Sequence, residues 1–481
     1  MQLLYKNNNL FLIFTILFAL ILLFWGLGSV ELMSLNEGRR ALAIKEMFDS
    51  GNWLLPTQNG ELYLTKPPLL YWCSLFFSQL FGVVNEWTLR LPSAFAGLAV
   101  LFMVYGFVKK YFNNFAALLA VQLLLANVAF VMLMRRAEIE MLLTALCLGA
   151  LFSAIHYAER ENKSQQWVYL SYFLMALAVL TKGPVAMLFV TLPLLVIAIF
   201  TKNKQVIAVL TNKIGWLIFL VVASSWYLAV TVKLGPDIWA MIAKRDMLGK
   251  MQSEDLSKPL LSYVGWIATD FLLLVGFFFY QSRRFWRHYQ HQLVFQILCT
   301  ACICIIIVFS LFSNKHAKYL LPIYPVIVIL LSLHISLMTE LCSQKFKKIV
   351  QGLGLLIPFV FVIFYIFAEA KVFDYRISVF PKFSAWTERV TVQRLYAVDD
   401  LDMRLFYYTK KPIKTLNIKA FLALGESEKS LLLLSEKPIS DINFLQNLCE
   451  VNVFEPYLKK HKKLIVYGVG EVCHHQPKEV L

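Results

Sequence analysis

Long uninterrupted apolar runs decide what this chain can fold into. About eleven of them are apolar enough to form membrane helices, near residues 10–30, 91–108, 115–134, 139–157, 167–180, 185–200, 214–232, 261–280, 294–311, 320–337 and 349–367. A helix of about 20 apolar residues matches the hydrocarbon thickness and satisfies its own backbone there. A membrane barrel is excluded, because its strands would alternate in character. Composition agrees: 59% of the 481 residues are hydrophobic and only 16% are charged, against about a quarter in soluble domains. No small-residue cleavage signal follows the first run, which is read as a span and not a leader.

The net charge is +16, most of it in short loops between the runs. If the runs alternate across the membrane, one side holds Lys6, Lys109, Lys110, Arg160, Lys163, Lys202, Lys204, Lys213, Arg283, Arg284, Arg287, Lys345, Lys347 and Lys348. The positive-inside rule makes that side cytoplasmic, with the N-terminus. Segments 31–90 and 233–259 and the tail then face outward. No basic, aromatic-interleaved soluble stretch points to nucleic acid.

The sequence divides into a membrane domain over 1–370 and a small soluble α/β domain over 371–481, whose apolar runs are short. In the tail, 430–434 and 464–469 read as strands, and 399–408 and 442–448 as helices. Cys449 and Cys473 share this tail, and an extracytoplasmic location would permit a disulfide that spacing alone does not fix. The other six cysteines, Cys342 among them, read mostly as small hydrophobes. His474-His475 reads as solvated tail, and no metal ligand is assigned.

The first external segment, Leu35 to Trp72, is the most informative: LNEGRRALAIKEMFDSGNWLLPTQNGELYLTKPPLLYW. Asn36 is expected to cap a helix with Glu37 in its first turn, and Gly51 to stop it. Ala41, Ile44 and Phe48 share one face, so the helix is amphipathic and packs at the membrane surface.

The segment resembles the bacterial dolichyl-phosphate-mannose-protein mannosyltransferase superfamily, especially its aminoarabinose transferase-like group. The resemblance rests on Asn36-Glu37-Gly38-Arg39, Glu46-Met47, Gly51-Asn52-Trp53, Pro56, Asn59-Gly60 and Lys66-Pro67-Pro68-Leu69-Leu70-Tyr71-Trp72. It extends through Arg90-Leu91-Pro92-Ser93, Leu180-Thr181-Lys182-Gly183-Pro184, Trp226-Tyr227 and Lys318-Tyr319-Leu320-Leu321-Pro322. It implies a mainly α, polytopic GT-C bundle with a cavity opening outward. It also implies transfer of a sugar from a polyprenyl (undecaprenyl) phosphate to a lipid, glycan or protein acceptor at the inner membrane of a bacterium. The pattern departs at Asn36, where the family has Asp, and at Thr65, where it has a suspected metal ligand. The family's loop histidine is absent from 233–259, so a divalent metal site is missing or rebuilt. The family's acid after the third span corresponds to Glu140, or to Glu138.

Displacing a polyprenyl phosphate calls for cations on the leaving phosphate and a carboxylate for the acceptor hydroxyl. Glu37 is the expected base. Arg39, Lys66, Arg135, Glu140, Lys182, Lys315, Lys318 and Tyr319 are the expected donor phosphate and sugar contacts. Such outward-side cations run against the topology rule and need an anionic partner. Structural alternatives stand beside each: a helix-terminal charge for Glu37, snorkelling for Arg39 and Lys66, a network of Arg135 and Arg136 with Glu138 and Glu140, and an interfacial anchor for Tyr319. A flippase or a catalytically degenerate binding scaffold are the rival functions. A flippase would favour inverted repeats and broken helices, and the sequence displays neither.

Overall fold

The computed structural model of the chain describes residues 2–159, 164–252, 258–271, 280–312, 315–340, 343–376, 379–390, 395–398, 401–409, 411–417, 420–421, 424, 430–435, 448–455, 463–470 and 473. Arg160, Lys163, Cys342, His474-His475, the helix expected over 442–447 and part of the run at 261–280 lie outside them.

Among the described residues, seven helices are long and apolar enough to cross a membrane: Glu86–Tyr111, Ile139–Glu159, Pro184–Thr201, Lys204–Leu234, Leu293–Ser310, Ala317–Glu340 and Gln344–Val372. The pair Asn114–Leu125 and Val128–Met134 makes an eighth, bent by 73°. The run expected at 167–180 forms the helix Gln166–Lys182, and the first run, expected over 10–30, is helical only to the end of Gln2–Phe24. The figure of eleven counts apolar runs, whereas a span also needs continuous helix of sufficient length.

The bend replaces the unbroken helix expected at 115–134. Its cause is local: the Asn127 side chain accepts from the Phe130 amide at 2.9 Å and so caps a new helix. Ile139–Glu159 and Ala317–Glu340 form the centre of the bundle, with 89% and 100% of their apolar windows buried. Lys204–Leu234 and Gln344–Val372 bury only 28% and 17% and turn apolar side chains outward, as lipid-facing helices do.

On the face carrying the first loop, helix α1 (Leu35–Ser50) lies against helix α2 (Leu69–Phe81). Its N-cap is Ser34, not Asn36: the Ser34 hydroxyl accepts from the Glu37 amide at 3.0 Å. Asn36 is therefore free to line a cavity. Gly51 ends the helix as expected, in the left-handed conformation at φ 68°. A two-residue hairpin follows, with Asn59 and Gly60 at φ 53° and 78°. Glu46 accepts from Thr57 Oγ1 at 2.5 Å and from the Asn59 amide at 2.6 Å, which ties the hairpin back to the helix.

Among the described residues the tail holds a five-stranded sheet in the order β4-β3-β5-β7-β6. Its strands are β3 (Leu395–Ala397), β4 (Ile413–Thr415), β5 (Ser430–Ser435), β6 (Cys449–Phe454) and β7 (Leu464–Gly470), β1 and β2 being the hairpin strands Thr57–Gln58 and Glu61–Leu62. β3 pairs in parallel with β4 and β5, while β7 runs antiparallel to β5 and β6. Leu432, Leu433 and Leu434 are fully buried, as a central strand covered on both faces requires. Cys449 and Cys473 form a disulfide with Cα atoms 5.8 Å apart.

Candidate active site

Two neighbouring carboxylate clusters organise the first-loop face. The first is closed. Glu37 is fully buried, and its Oε1 accepts from Arg90 Nε at 2.8 Å and the Ala137 amide at 2.9 Å. Its Oε2 accepts from the Met33 amide at 2.7 Å and Arg90 Nη2 at 3.3 Å. Arg90 spends its remaining hydrogen-bonding capacity on the carbonyls of Leu27, Val30 and Glu31. Every strong hydrogen-bonding position of this knot is engaged by protein. A base must present a lone pair to substrate, so these surroundings are those of a brace. Glu37 joins the start of α1 to the loop at Ala137.

The second cluster is open. Glu138 accepts from Ser34 Oγ at 2.8 Å and from Lys318 Nζ at 2.6 Å. Glu140 lies 3.8 Å from Lys318 and 3.7 Å from Lys182, and its buried Oε2 has no hydrogen-bond partner among the described residues. Lys182 Nζ sits 4.1 Å from the centroid of the Tyr319 ring. Arg40 is buried and its charge acts on Glu138, while the charge of half-buried Lys66 is felt by Lys182. Burial alone would raise the Glu138 carboxyl, but Lys318 and Arg40, with hydrogen bonds from Lys318 and Ser34, outweigh it and hold it below its ordinary value.

A cavity of about 400 Å³ opens beside this cluster. Ser34, Asn36, Arg136, Glu138, Asp270 and Lys318 supply its polar wall, and Val128, Met132 and Leu133 from the bent helix supply apolar wall. The Arg136 Nε is buried and has no hydrogen-bond partner among the described residues. Asp270 accepts a hydrogen bond from Tyr324, which also lines the cavity. Such a space pairs unspent cationic donors with a carboxylate, the arrangement that phosphate displacement uses.

The structure thus gathers Lys66, Glu140, Lys182, Lys318 and Tyr319 from the residues expected by sequence. It sets others elsewhere. Arg39 is exposed on the outer side of α1. Arg135 turns away from the cavity: its Nη2 lies 2.9 Å from Glu369, its Nη1 donates to the Leu22 carbonyl, and its guanidinium covers the Tyr365 ring. Lys315 locks a loop, exchanging Nζ-to-carbonyl bonds with Lys258.

Sequence reasoning passed over Arg40, ranked Glu138 second and left Asp270 aside. Helical spacing was a usable signal for Arg40, since positions 37, 40, 41, 44 and 47 are all buried on one face. For Asp270 no local pattern marks the residue. Among the described residues no three His, Cys, Asp or Glu side chains gather to hold a metal ion. Asn36 and Thr65 supply no carboxylate at the two family positions, so no metal-dependent step is derived.

The architecture is the GT-C membrane bundle. The crystal structure of apo ArnT from Cupriavidus metallidurans superposes with a TM-score of 0.78 at 18% identity, over 97% of this chain and 99% of that one. The Archaeoglobus fulgidus oligosaccharyltransferase with a tethered acceptor peptide gives 0.56 at 11% identity, over 88% of this chain and 68% of its own. The family model described as dolichyl-phosphate-mannose-protein mannosyltransferase matches residues 65–228. An undecaprenyl phosphate-alpha-4-amino-4-deoxy-L-arabinose arabinosyl transferase of Shewanella sediminis is 29% identical over 66% of this chain. One of the same name from Proteus mirabilis is 24% identical over 69%. The matched stretches span 58% and 61% of those two relatives. The chain thus has the GT-C fold and is similar in sequence to aminoarabinose transferases.

Proposed function

We propose that the chain is a membrane glycosyltransferase that moves a sugar from undecaprenyl phosphate, or a similar polyprenyl phosphate, to a lipid, glycan or protein acceptor. The site faces the periplasm of a bacterial inner membrane, with the N-terminus cytoplasmic and the tail outside. One observation carries this reading: Lys318, Arg136 and Glu138 line one cavity, and Lys182, Arg40 and Glu140 cluster beside them next to the bundle's most buried helices. Relatives whose names specify transfer from undecaprenyl phosphate support it.

In the proposed reaction an acceptor oxygen attacks the anomeric carbon as the bond from that carbon to the phosphate oxygen breaks. The phosphate leaves as an anion held by Lys318 and Arg136, with Lys66 and Lys182 lending positive potential. Glu138, which lines the cavity, takes the acceptor's proton when the acceptor is a hydroxyl. Glu37 positions it, because Glu37 fixes the neighbouring Ala137 amide and the helix start that carries Ser34.

The test is transfer by the full chain in proteoliposomes loaded with undecaprenyl-phosphate sugars. Glu138→Gln should lower turnover about 100-fold or more, the scale of a lost general base, without loss of folded protein. Full activity in that variant removes Glu138 from the chemistry. The 73° break beside the cavity gives a flippase reading its one support. Translocation of the intact donor without any glycosylated product would favour it.

A further inference from the structure

Two side chains of the tail close on Leu32 of the first loop. Leu32 is fully buried two positions before the cap of α1. Its amide donates to Tyr408 Oη at 2.8 Å, and its carbonyl accepts from Arg404 Nη1 at 3.1 Å. Both backbone groups are thus satisfied by side chains from a six-residue helix, Met403–Tyr408, more than 370 positions downstream. Tyr408 Oη donates in turn to Glu86 Oε1 at 2.5 Å. Arg404 is itself held by Asp402, through Nη2 to Oδ2 at 2.6 Å, and lies over the Phe380 ring.

The fit continues along α1. Lys45 Nζ donates to the Tyr407 carbonyl at 3.0 Å. Gly38 leaves room for the Arg404 side chain: a Cβ there would come within 2.4 Å of Arg404 Cγ and 3.0 Å of its backbone nitrogen. Gly38 is helical without a positive φ, so backbone conformation does not require glycine. Close approach of the tail does. An interior helical glycine is otherwise unfavourable.

We infer that the helix Met403–Tyr408 is a clamp that sets the position of α1, and that Arg404 and Tyr408 are positioning residues for the transfer reaction. The consequence reaches the cavity through few steps. Leu32 precedes Met33, whose amide holds Glu37, and Ser34, whose hydroxyl holds Glu138. Releasing Leu32 lets the Ser34 and Asn36 wall of the cavity drift from Glu138 and Lys318. Misplacement of about 1 Å at a distance from the chemistry can cost about 100-fold in rate. The inference rests on the proposed reaction only for its kinetic readout.

The experiment uses the full chain in lipid nanodiscs, with Tyr408→Phe, Arg404→Ala, Gly38→Ala and the double variant Gly38→Ala/Arg404→Ala. Two quantities are read: amide exchange over residues 31–50 and transfer kinetics. Tyr408→Phe should speed exchange at 31–38 while the central helices stay protected. It should lower kcat about tenfold or more and leave the donor KM within about twofold, the signature of lost positioning and not of lost donor binding. Gly38→Ala should behave likewise. The double variant should lose less than the two single variants summed, because truncating Arg404 removes the Cγ that the new methyl meets at 2.4 Å and leaves only the 3.0 Å approach to the backbone nitrogen. Unchanged exchange at 31–38 in Tyr408→Phe and Arg404→Ala overturns the clamp, as does strict additivity in the double variant. If the unaltered chain shows no transfer with any polyprenyl-phosphate sugar, the exchange data alone decide the clamp and the proposed function fails separately.

Discussion

Glu37 and Glu138 lie close in space, tied to the same turn of chain, yet their surroundings differ in kind. Glu37 has no exposure and receives four hydrogen bonds, two of them from an arginine spent on carbonyls. Glu138 shares its cation with Glu140 and borders a cavity with Arg136, whose Nε lacks a partner among the described residues. A saturated buried ion pair holds structure, and breaking it strands a charge. A cluster with capacity left over can meet a ligand. Both carboxylates come from the motif-bearing part of the chain, and completeness of pairing is what separates them.

The sharpest way to break this contrast is to remove one charge from each. Glu37→Gln puts an amide N–H where Arg90, Met33 or Ala137 already donates, and leaves Arg90 buried without its anion. Loss of one partner of a buried pair costs about 3–5 kcal/mol, so detergent-solubilised Glu37→Gln should show a markedly lower Tm and poor recovery. Glu138→Gln should keep a near-normal Tm while losing transfer. A stable, inactive Glu37→Gln would return the base role to Glu37.

Next in size is the pH response. In the folded chain the Glu138 carboxyl is held below its ordinary value by Lys318 and Arg40 despite burial. A carboxyl depressed by folding contributes stability above its unfolded pKa and loses that contribution as pH falls through the folded one. Its ionised form should therefore persist through mildly acidic pH. Lys318→Ala removes the closest cation, so the acid limb of the pH–rate profile should move upward, alongside lower turnover. An acid limb that stays in place would detach the limb from Glu138.

The adjacent arginine pairs give the smaller effects. Arg135→Ala should lower Tm by stranding Glu369, whereas Arg136→Ala should weaken undecaprenyl-phosphate binding with little change in Tm. Arg39→Ala, on an exposed surface, should change stability by no more than about 0.5 kcal/mol and leave transfer intact. Vesicle binding and thermal melts of the three variants at 39, 135 and 136 check which of these arginines faces the site.

The sequence by itself determined the membrane character, the helical class, two of the tail's strands, β5 and β7, and the block of residues around the site. These follow from the length of apolar runs and a motif, both local properties. It could not decide between neighbours. Arg39 against Arg40 and Arg135 against Arg136 differ by about 100° of helical rotation or one turn of loop, and only packing fixes that phase. Nor could it show that Ser34 and not Asn36 caps α1, that Asn127 breaks a span, or that Tyr408 and Arg404 close over Leu32 from the far end of the chain. Those are long-range pairings, and their partners carry no local signal until tertiary structure brings them within hydrogen-bonding distance.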